Sequence, residues 1–387
     1  MSITKSSFSC KRDNLTIKGM QYLPENHFNT AKFPAVIICH GFTGNYSDME
    51  DWCADFARIG YAAFCFSFCG GSALTTQEEF LSEGNSIDMT LSSEIEDLLC
   101  VKRYVQELSY IDSKHLILVG GSQGGLVAAL TAARCGNEIE KLILFFPAFC
   151  IPDHARKGCL ATASYDPNLV PDYIDCHTTI LGKAYHEEAA ALDPFLEVSK
   201  YTGPVLLLHG LNDNIVHYSY AVRAKNAYRQ GQCHLQLIRD MGHYFCDHQH
   251  DSAFSSIRQF LEERKEILTI RIIITRSEGA IIDDILTDKI YFTGYCESDF
   301  FQGCICKEGC DTRIHYPDNM QIRAEYTLNG LDSAGETCSI HIVNQWKDDE
   351  WRPVIQTNSK ALNHLNHADL TATLEYGAGG PTVRIFH

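Results

Sequence analysis

From Phe33 to about Lys265 the chain alternates short, apolar, β-branched runs with longer amphipathic stretches, and this alternation constrains its fold more than any other feature. The runs are Ala35 to Cys39, Tyr61 to Phe66, His115 to Val119, Leu142 to Phe146, Val205 to His209 and Leu235 to Ile238. Between them lie helical patterns near Asp48 to Ile59, Leu91 to Leu108, Gly124 to Arg134, Tyr218 to Arg229 and Ser252 to Arg264. Strand and helix in turn predict βαβ crossovers and a mainly parallel sheet with helices on both faces, an α/β architecture. Ahead of it, Phe8 to Cys10 and Leu15 to Met20 predict an antiparallel hairpin turning at Asp13-Asn14.

The alternation fails in two places. Between Pro147 and Pro204 the chain is rich in Pro, Asp, Tyr and Gly, and so long an insertion inside an α/β domain predicts a cap over residues 148–203 that carries substrate contacts. After Lys265 the helical signals thin out and short strand-like runs with turn signals take over: Leu268 to Thr275, Lys289 to Thr293, Met320 to Leu328, Cys338 to Asn344 and Thr382 to Phe386. That pattern predicts a second domain, residues 266–387, folded as a small all-β barrel or sandwich behind an α/β domain of residues 1–265. A length of 387 residues also favours two cores over one.

A formal charge of −17 excludes a general attraction to nucleic acid or to anionic membrane surfaces. No segment is apolar for long enough to cross a bilayer, and Met1 to Lys18 lacks the apolar stretch of a signal peptide, so no membrane partner and a cytoplasmic location are expected. Seventeen cysteines, an odd number set in core-like runs, suit reduced buried thiols better than a disulfide framework. Cys296, Cys304, Cys306 and Cys310 contain no C-x-x-C pair, and neither a metal nor another cofactor is expected.

The chemistry concentrates at Leu116-Ile117-Leu118-Val119-Gly120-Gly121-Ser122-Gln123-Gly124-Gly125, which runs into an Ala- and Leu-rich helix. This is a G-x-S-x-G elbow in the setting it needs, strand then tight turn then helix, which would thrust Ser122 out at the strand's C-terminal end. A serine hydroxyl needs a base, and the base needs an orienting carboxylate. Asp213, in the turn after Val205 to His209, and His243, after the next strand, follow Ser122 in the chain order this elbow requires. Asp240, Asp247, His248 and His250 compete for these roles but stand in the wrong loop or in a polar stretch. The backbone N–H of Gln123, and that of Phe42 in His40-Gly41-Phe42-Thr43-Gly44, are the expected oxyanion donors.

The runs His40 to Asn45, Gly121 to Gly125 and His209 to Val216 resemble those of the bacterial cinnamoyl or feruloyl esterases of the α/β-hydrolase superfamily. The cap runs Ile151-Pro152-Asp153, Tyr165-Asp166-Pro167 and Val170-Pro171-Asp172 are similar too, and the likeness spans about the first 265 residues. It implies an α/β-hydrolase fold, hydrolysis of small hydroxycinnamoyl-type esters, and cap contacts to the acyl group from Asp153 or His154 and from Tyr185. Two positions depart from it: Ala161 stands where a polar glutamine is expected, and Gly121 where such esterases often have His. More loosely, Gly309 to Thr312, Arg323 to Tyr326, Thr357 to Ser359 and Ala368 to Thr371 resemble a bacterial β-barrel domain family of unknown function. Peptidase-like or acyl-transfer chemistry on the same triad, and a non-catalytic binding protein, stay open as alternatives, and a homo-oligomer is compatible with the sequence.

Overall fold

The computed structural model describes residues 2–25, 32–71, 77–262, 266–282, 285–316, 320–347, 350–377 and 380–387. They form two compact units, Met1–Phe260 and Leu261–His387. At the expected boundary between residues 265 and 266, residues 263–265 lie outside the described residues.

The first unit is built on one eight-stranded sheet. Its strands are β1 (Ile3–Arg12), β2 (Leu15–Pro24), β3 (Phe33–Cys39), β4 (Ala62–Phe66), β5 (Ile111–Gly121), β6 (Lys141–Phe145), β11 (Val205–Gly210) and β12 (Cys233–Ile238), in the spatial order β1-β2-β4-β3-β5-β6-β11-β12. β1 and β2 form the expected hairpin, with Asp13 at φ 53 in its turn, and β2 joins β4 antiparallel. From β4 to β12 every pairing is parallel. β4, β6 and β11 are buried at every position, as strands covered on both faces must be. The crossovers carry α1 (Glu50–Arg58), α2 (Leu91–Glu107) and α3 (Ser122–Cys135).

The strand order reverses about β3, since β4 lies on one side of it and β5 on the other. In an open parallel sheet the crevice outside the carboxyl ends of such strands is where a ligand fits. The loop His40 to Asn45 leaves β3 there, and Ser122 leaves β5 there.

Between β6 and β11 the cap is more regular than its composition suggests. It holds α4 (Ile151–Arg156), the ribbon β7 (Cys159–Leu160) with β8 (Ala163–Ser164), the ribbon β9 (Tyr173–Asp175) with β10 (Ile180–Gly182), α5 (Lys183–Ala191) and α6 (Pro194–Val198). Two further helices, α7 (Ser219–Ala227) and α8 (Asp247–Glu262), follow β11 and β12. Trp52 and Phe56 of α1 meet His250 and Phe254 of α8 at ring distances of 3.9 and 5.5 Å.

The second unit is an antiparallel barrel. Its strands are β13 (Glu266–Ile282), β14 (Ile285–Glu297), β15 (Phe301–Ile305), β16 (Gly309–His315), β17 (Met320–Asp332), β18 (Thr337–Lys347), β19 (Glu350–Thr357), β20 (Thr371–Gly377) and β21 (Gly380–Phe386). Pairing runs β13-β21-β20-β19-β18-β17 and returns through β14 to β13, which closes the sheet. Between β14 and β17 the stave is split: β15 pairs with one stretch of each and β16 with another. Among the described residues the closed ring therefore has eight staves and no open edge. Inward positions alternate along each strand, as in Cys338, Ile340, Ile342 and Asn344 of β18, and fill the core with Leu328, Ile355 and Ile385. All seventeen cysteines are thiols; Cys304 and Cys306 are exposed with sulfurs 3.8 Å apart, whereas Cys296 is buried.

Candidate active site

The elbow owes its shape to two glycines that cannot carry a side chain. A Cβ on Gly120 would lie 2.3 Å from Gly124 O, and one on Gly124 would lie 2.2 Å from His40 O. Gly121 is different, because a Cβ there meets nothing closer than Phe146 at 3.6 Å, an ordinary contact. The departure from the esterase pattern at that position thus leaves the turn geometry unchanged. Ser122 itself sits at φ 52, a left-handed backbone that costs a non-glycine residue about 1–3 kcal/mol and is kept where surrounding structure enforces it.

Facing Ser122 is His243. Its Nε2 stands 2.9 Å from Ser122 Oγ and its Nδ1 2.8 Å from Asp213 Oδ2. Asp213 is nearly fully buried, and burial alone would raise its carboxyl. Hydrogen bonds from His209, His243 and the Val216 N–H, together with the His243 charge, overcome this and hold it well below the usual carboxylate range. Its other oxygen accepts from the Ile215 and Val216 N–H groups at 2.9 and 2.8 Å. An ionised carboxylate can only accept, so His243 donates from Nδ1 and leaves the Nε2 lone pair for the Ser122 hydroxyl proton.

His209, fully buried, was given no role by the sequence reading. Its Nε2 donates to Val216 O at 2.8 Å and lies 3.3 Å from Asp213 Oδ2, which ties the Asp213 loop to the end of β11. Phe146 and Tyr244 pack against the His243 ring at centroid distances of 4.7 and 4.9 Å, the first tilted at 52° and the second edge-on at 79°.

Gln123 follows Ser122 in the chain, and Gly41, next to Phe42, lies against Ser122, where a Cβ on Gly41 would come 3.2 Å from Ser122 Cβ. The Gln123 N–H lies in the first turn of α3, where helix geometry provides no acceptor. The Phe42 N–H has no hydrogen-bond partner among the described residues. Its loop is held in place by His40, which is buried and neutral: Nδ1 donates to Gly41 O at 2.7 Å, Nε2 accepts from the Phe68 N–H at 3.0 Å, and burial lowers the ring to about 4. A second clamp lies below α3. The Gln123 side chain donates to both oxygens of Glu94 at 2.9 and 2.8 Å and accepts from the Tyr185 hydroxyl at 2.7 Å. Burial pushes Glu94 up to about 8, with Asp97 adding to the rise and Gln123 opposing it.

The cap residues take positions of their own. Tyr185 is 2% exposed, and its hydroxyl is committed to Gln123, so it joins α5 to α3 in this structure and does not face an open pocket. Asp153 bonds Arg156 and Arg223 at 2.9 Å each and the Tyr220 hydroxyl at 3.1 Å, linking α4 to α7. His154 is half-buried beside the Tyr220 ring at 6.4 Å. Of the rivals for the base and acid, His250 bonds Asp55 at 2.7 Å under the Trp52 ring, and Asp240 is exposed. The side chains of Asp247 and His248 lie outside the described residues.

Residues 17–266 match the dienelactone hydrolase family. The chain belongs to this family. Membership makes it a hydrolase, and the match covers the whole parallel sheet with Ser122, Asp213 and His243. Among solved structures, this dienelactone hydrolase-family chain is similar to Est1E from Butyrivibrio proteoclasticus at 28% identity, covering 66% of this chain and 97% of that one, with a TM-score of 0.57. Ferulic acid bound to Est1E forms a second such structure, at 29% identity, the same 66% and 97% coverage and a TM-score of 0.58. The hypothetical protein PA2218 from Pseudomonas aeruginosa shares the fold at 13% identity, covering 67% of this chain and 93% of its own, with a TM-score of 0.55. No curated protein matches the chain. Among the described residues no helix is long and apolar enough to cross a membrane.

Proposed function

We propose that the chain is a serine carboxylesterase that cleaves hydroxycinnamoyl, feruloyl-type esters through an acyl-enzyme on Ser122. The observation that carries this reading is the continuous hydrogen-bonded chain from Ser122 Oγ through His243 to Asp213. His243 Nε2 takes the hydroxyl proton as Oγ attacks the ester carbonyl, and the new oxyanion accepts from the N–H groups of Phe42 and Gln123. When the C–O bond of the leaving alcohol breaks, His243 returns that proton to it. Water then gives a proton to His243 as it attacks the acyl-enzyme carbonyl, and when the bond to Ser122 Oγ breaks His243 returns that proton to Oγ, releasing the acid. No cofactor enters these steps.

Two observations support the acyl group proposed. Leu211, Ile215 and Tyr244, on the loops carrying Asp213 and His243, are large exposed hydrophobics that suit an aromatic or otherwise apolar body. Est1E, which the chain resembles over its hydrolase unit, is seen with ferulic acid. Asp153 and Tyr185 enter the proposal as positioning residues, since their polar atoms are engaged within the protein.

The test is a kcat/KM panel of methyl ferulate against short-chain aliphatic nitrophenyl esters, run on the wild type and on Ser122→Ala. Preference for methyl ferulate, lost in the variant, is the expected result. Turnover of aliphatic esters alone would discard the feruloyl substrate, and full activity in Ser122→Ala would discard the serine mechanism.

A further inference from the structure

The barrel unit encloses a cavity of about 220 Å³, lined by inward-facing residues of β13, β14 and β16 to β21. Its walls are largely apolar and aromatic, with Phe292, Trp351, Leu374 and Val383 among them, and Ile274 and Tyr376 at 51% and 72% exposure mark where it meets solvent. Polar side chains in this lining include Asp311, Arg313, Tyr326 and Asn344. Tyr326 and Asn344 are each 5% exposed, and the Tyr326 hydroxyl, Asn344 Oδ1 and Asp311 Oδ1 have no hydrogen-bond partner among the described residues. Nearly all buried polar atoms in proteins are partnered, so three orphans lining one cavity call for an explanation.

From this arrangement we infer that the barrel is a binding site for a small, neutral, hydroxylated aromatic molecule: a single phenolic ring. An eight-stranded barrel is just wide enough to hold one small ligand. Benzene occupies an apolar protein cavity of about 150 Å³, so the larger space here admits one ring with a few substituents. The charge follows from the ion pair: Arg313 gives both Nε and Nη2 to Asp311 Oδ2 at 3.2 and 3.0 Å, which leaves no unpaired cation to select a carboxylate. The polarity follows from the orphans. Asp311 Oδ1 and Asn344 Oδ1 are acceptors and the Tyr326 hydroxyl can donate or accept, so the set is completed by a ligand that brings an O–H donor into an apolar ring slot. This site is separate from Ser122 and does not rest on the proposed ester chemistry.

Calorimetric titration of the full chain with 4-ethylphenol, ethylbenzene and benzoate tests it. 4-Ethylphenol is expected to bind at least about tenfold more tightly than ethylbenzene, the size of effect that a lost buried hydrogen bond gives. Asn344→Leu should erase that preference, and Ala324→Phe, which fills the cavity, should abolish binding while circular dichroism shows a folded barrel. Equal affinity for ethylbenzene and 4-ethylphenol, tighter binding of benzoate, or unchanged 4-ethylphenol binding in a folded Ala324→Phe would each overturn the inference. If Ala324→Phe does not fold, the ligand pair on the wild type and on Asn344→Leu decides it.

Discussion

Around Ser122, buried polar groups are linked in series: Asp213 to His243 to Ser122 on one side, Glu94 to Gln123 to Tyr185 on the other. Beside these series, the buried His209 Nδ1 has no partner among the described residues. In the barrel cavity the relation is reversed, because Asp311, Tyr326 and Asn344 each present an unpaired atom. A closed series fixes geometry in advance and suits proton transfer, since the atoms that must move a proton are already aligned. An open set has its hydrogen-bonding capacity unfilled and suits capture of a ligand. Cutting the closed series should therefore be costly, whereas trimming the open set should cost the fold little.

The largest expected effect is on chemistry. Ser122→Ala should lower kcat on a responsive ester by about 10⁶-fold, the loss typical of removing a triad nucleophile. Asp213→Asn should lower it by about 10⁴-fold with the fold intact, because the amide no longer selects the His243 tautomer that leaves Nε2 free. Steady-state kinetics on purified variants reads both, and a loss below tenfold in either would break the closed-series account.

Stability effects come next. Glu94 is raised from 4.5 to about 8 in the folded chain, so the fold retains a proton that the unfolded chain releases. Stability should accordingly fall as pH rises from about 4.5 to about 8, by up to about 5 kcal/mol from this group. Urea melts of the hydrolase transition across that window should show a flatter profile for Glu94→Gln, and an identical slope would contradict the burial assigned to Glu94. Gln123→Leu leaves Glu94 and the Tyr185 hydroxyl buried without their partner and should cost about 2–3 kcal/mol in the same assay. Asn344→Leu removes an orphan from the barrel and should change stability by no more than about 1 kcal/mol, in the stabilising direction. If Asn344→Leu destabilised as much as Gln123→Leu, the contrast between the two regions would fail.

Much of the hydrolase unit was legible because its strands are continuous apolar runs and its helices carry clear amphipathic spacing. Ala35 to Cys39 and Val205 to His209 fall within β3 and β11, and Ser122, Asp213 and His243 converge in space from three separate loops. The cap helices were missed because α4, α5 and α6 have six, nine and five residues, too few for a periodic pattern to stand out. In the barrel, β15 and β16 escaped notice since Gly303 and Gly309 break the runs, and Pro353 does the same within β19. His40, Glu94 and His209 act through tertiary contacts between residues 28 to 29 apart, or through a loop's own backbone, and no local pattern announces them. Tyr185 was expected at the substrate from a resemblance in sequence; its burial against Gln123 depends on how α5 packs on α3, which a motif does not encode.

The most direct test of the serine mechanism is rapid-quench mass spectrometry of the full chain mixed with methyl ferulate. A feruloyl adduct on the peptide containing Ser122, forming within one turnover and absent from Ser122→Ala, is the expected result. Ester turnover that continues with no adduct on that peptide, or an adduct that forms equally in Ser122→Ala, would contradict it.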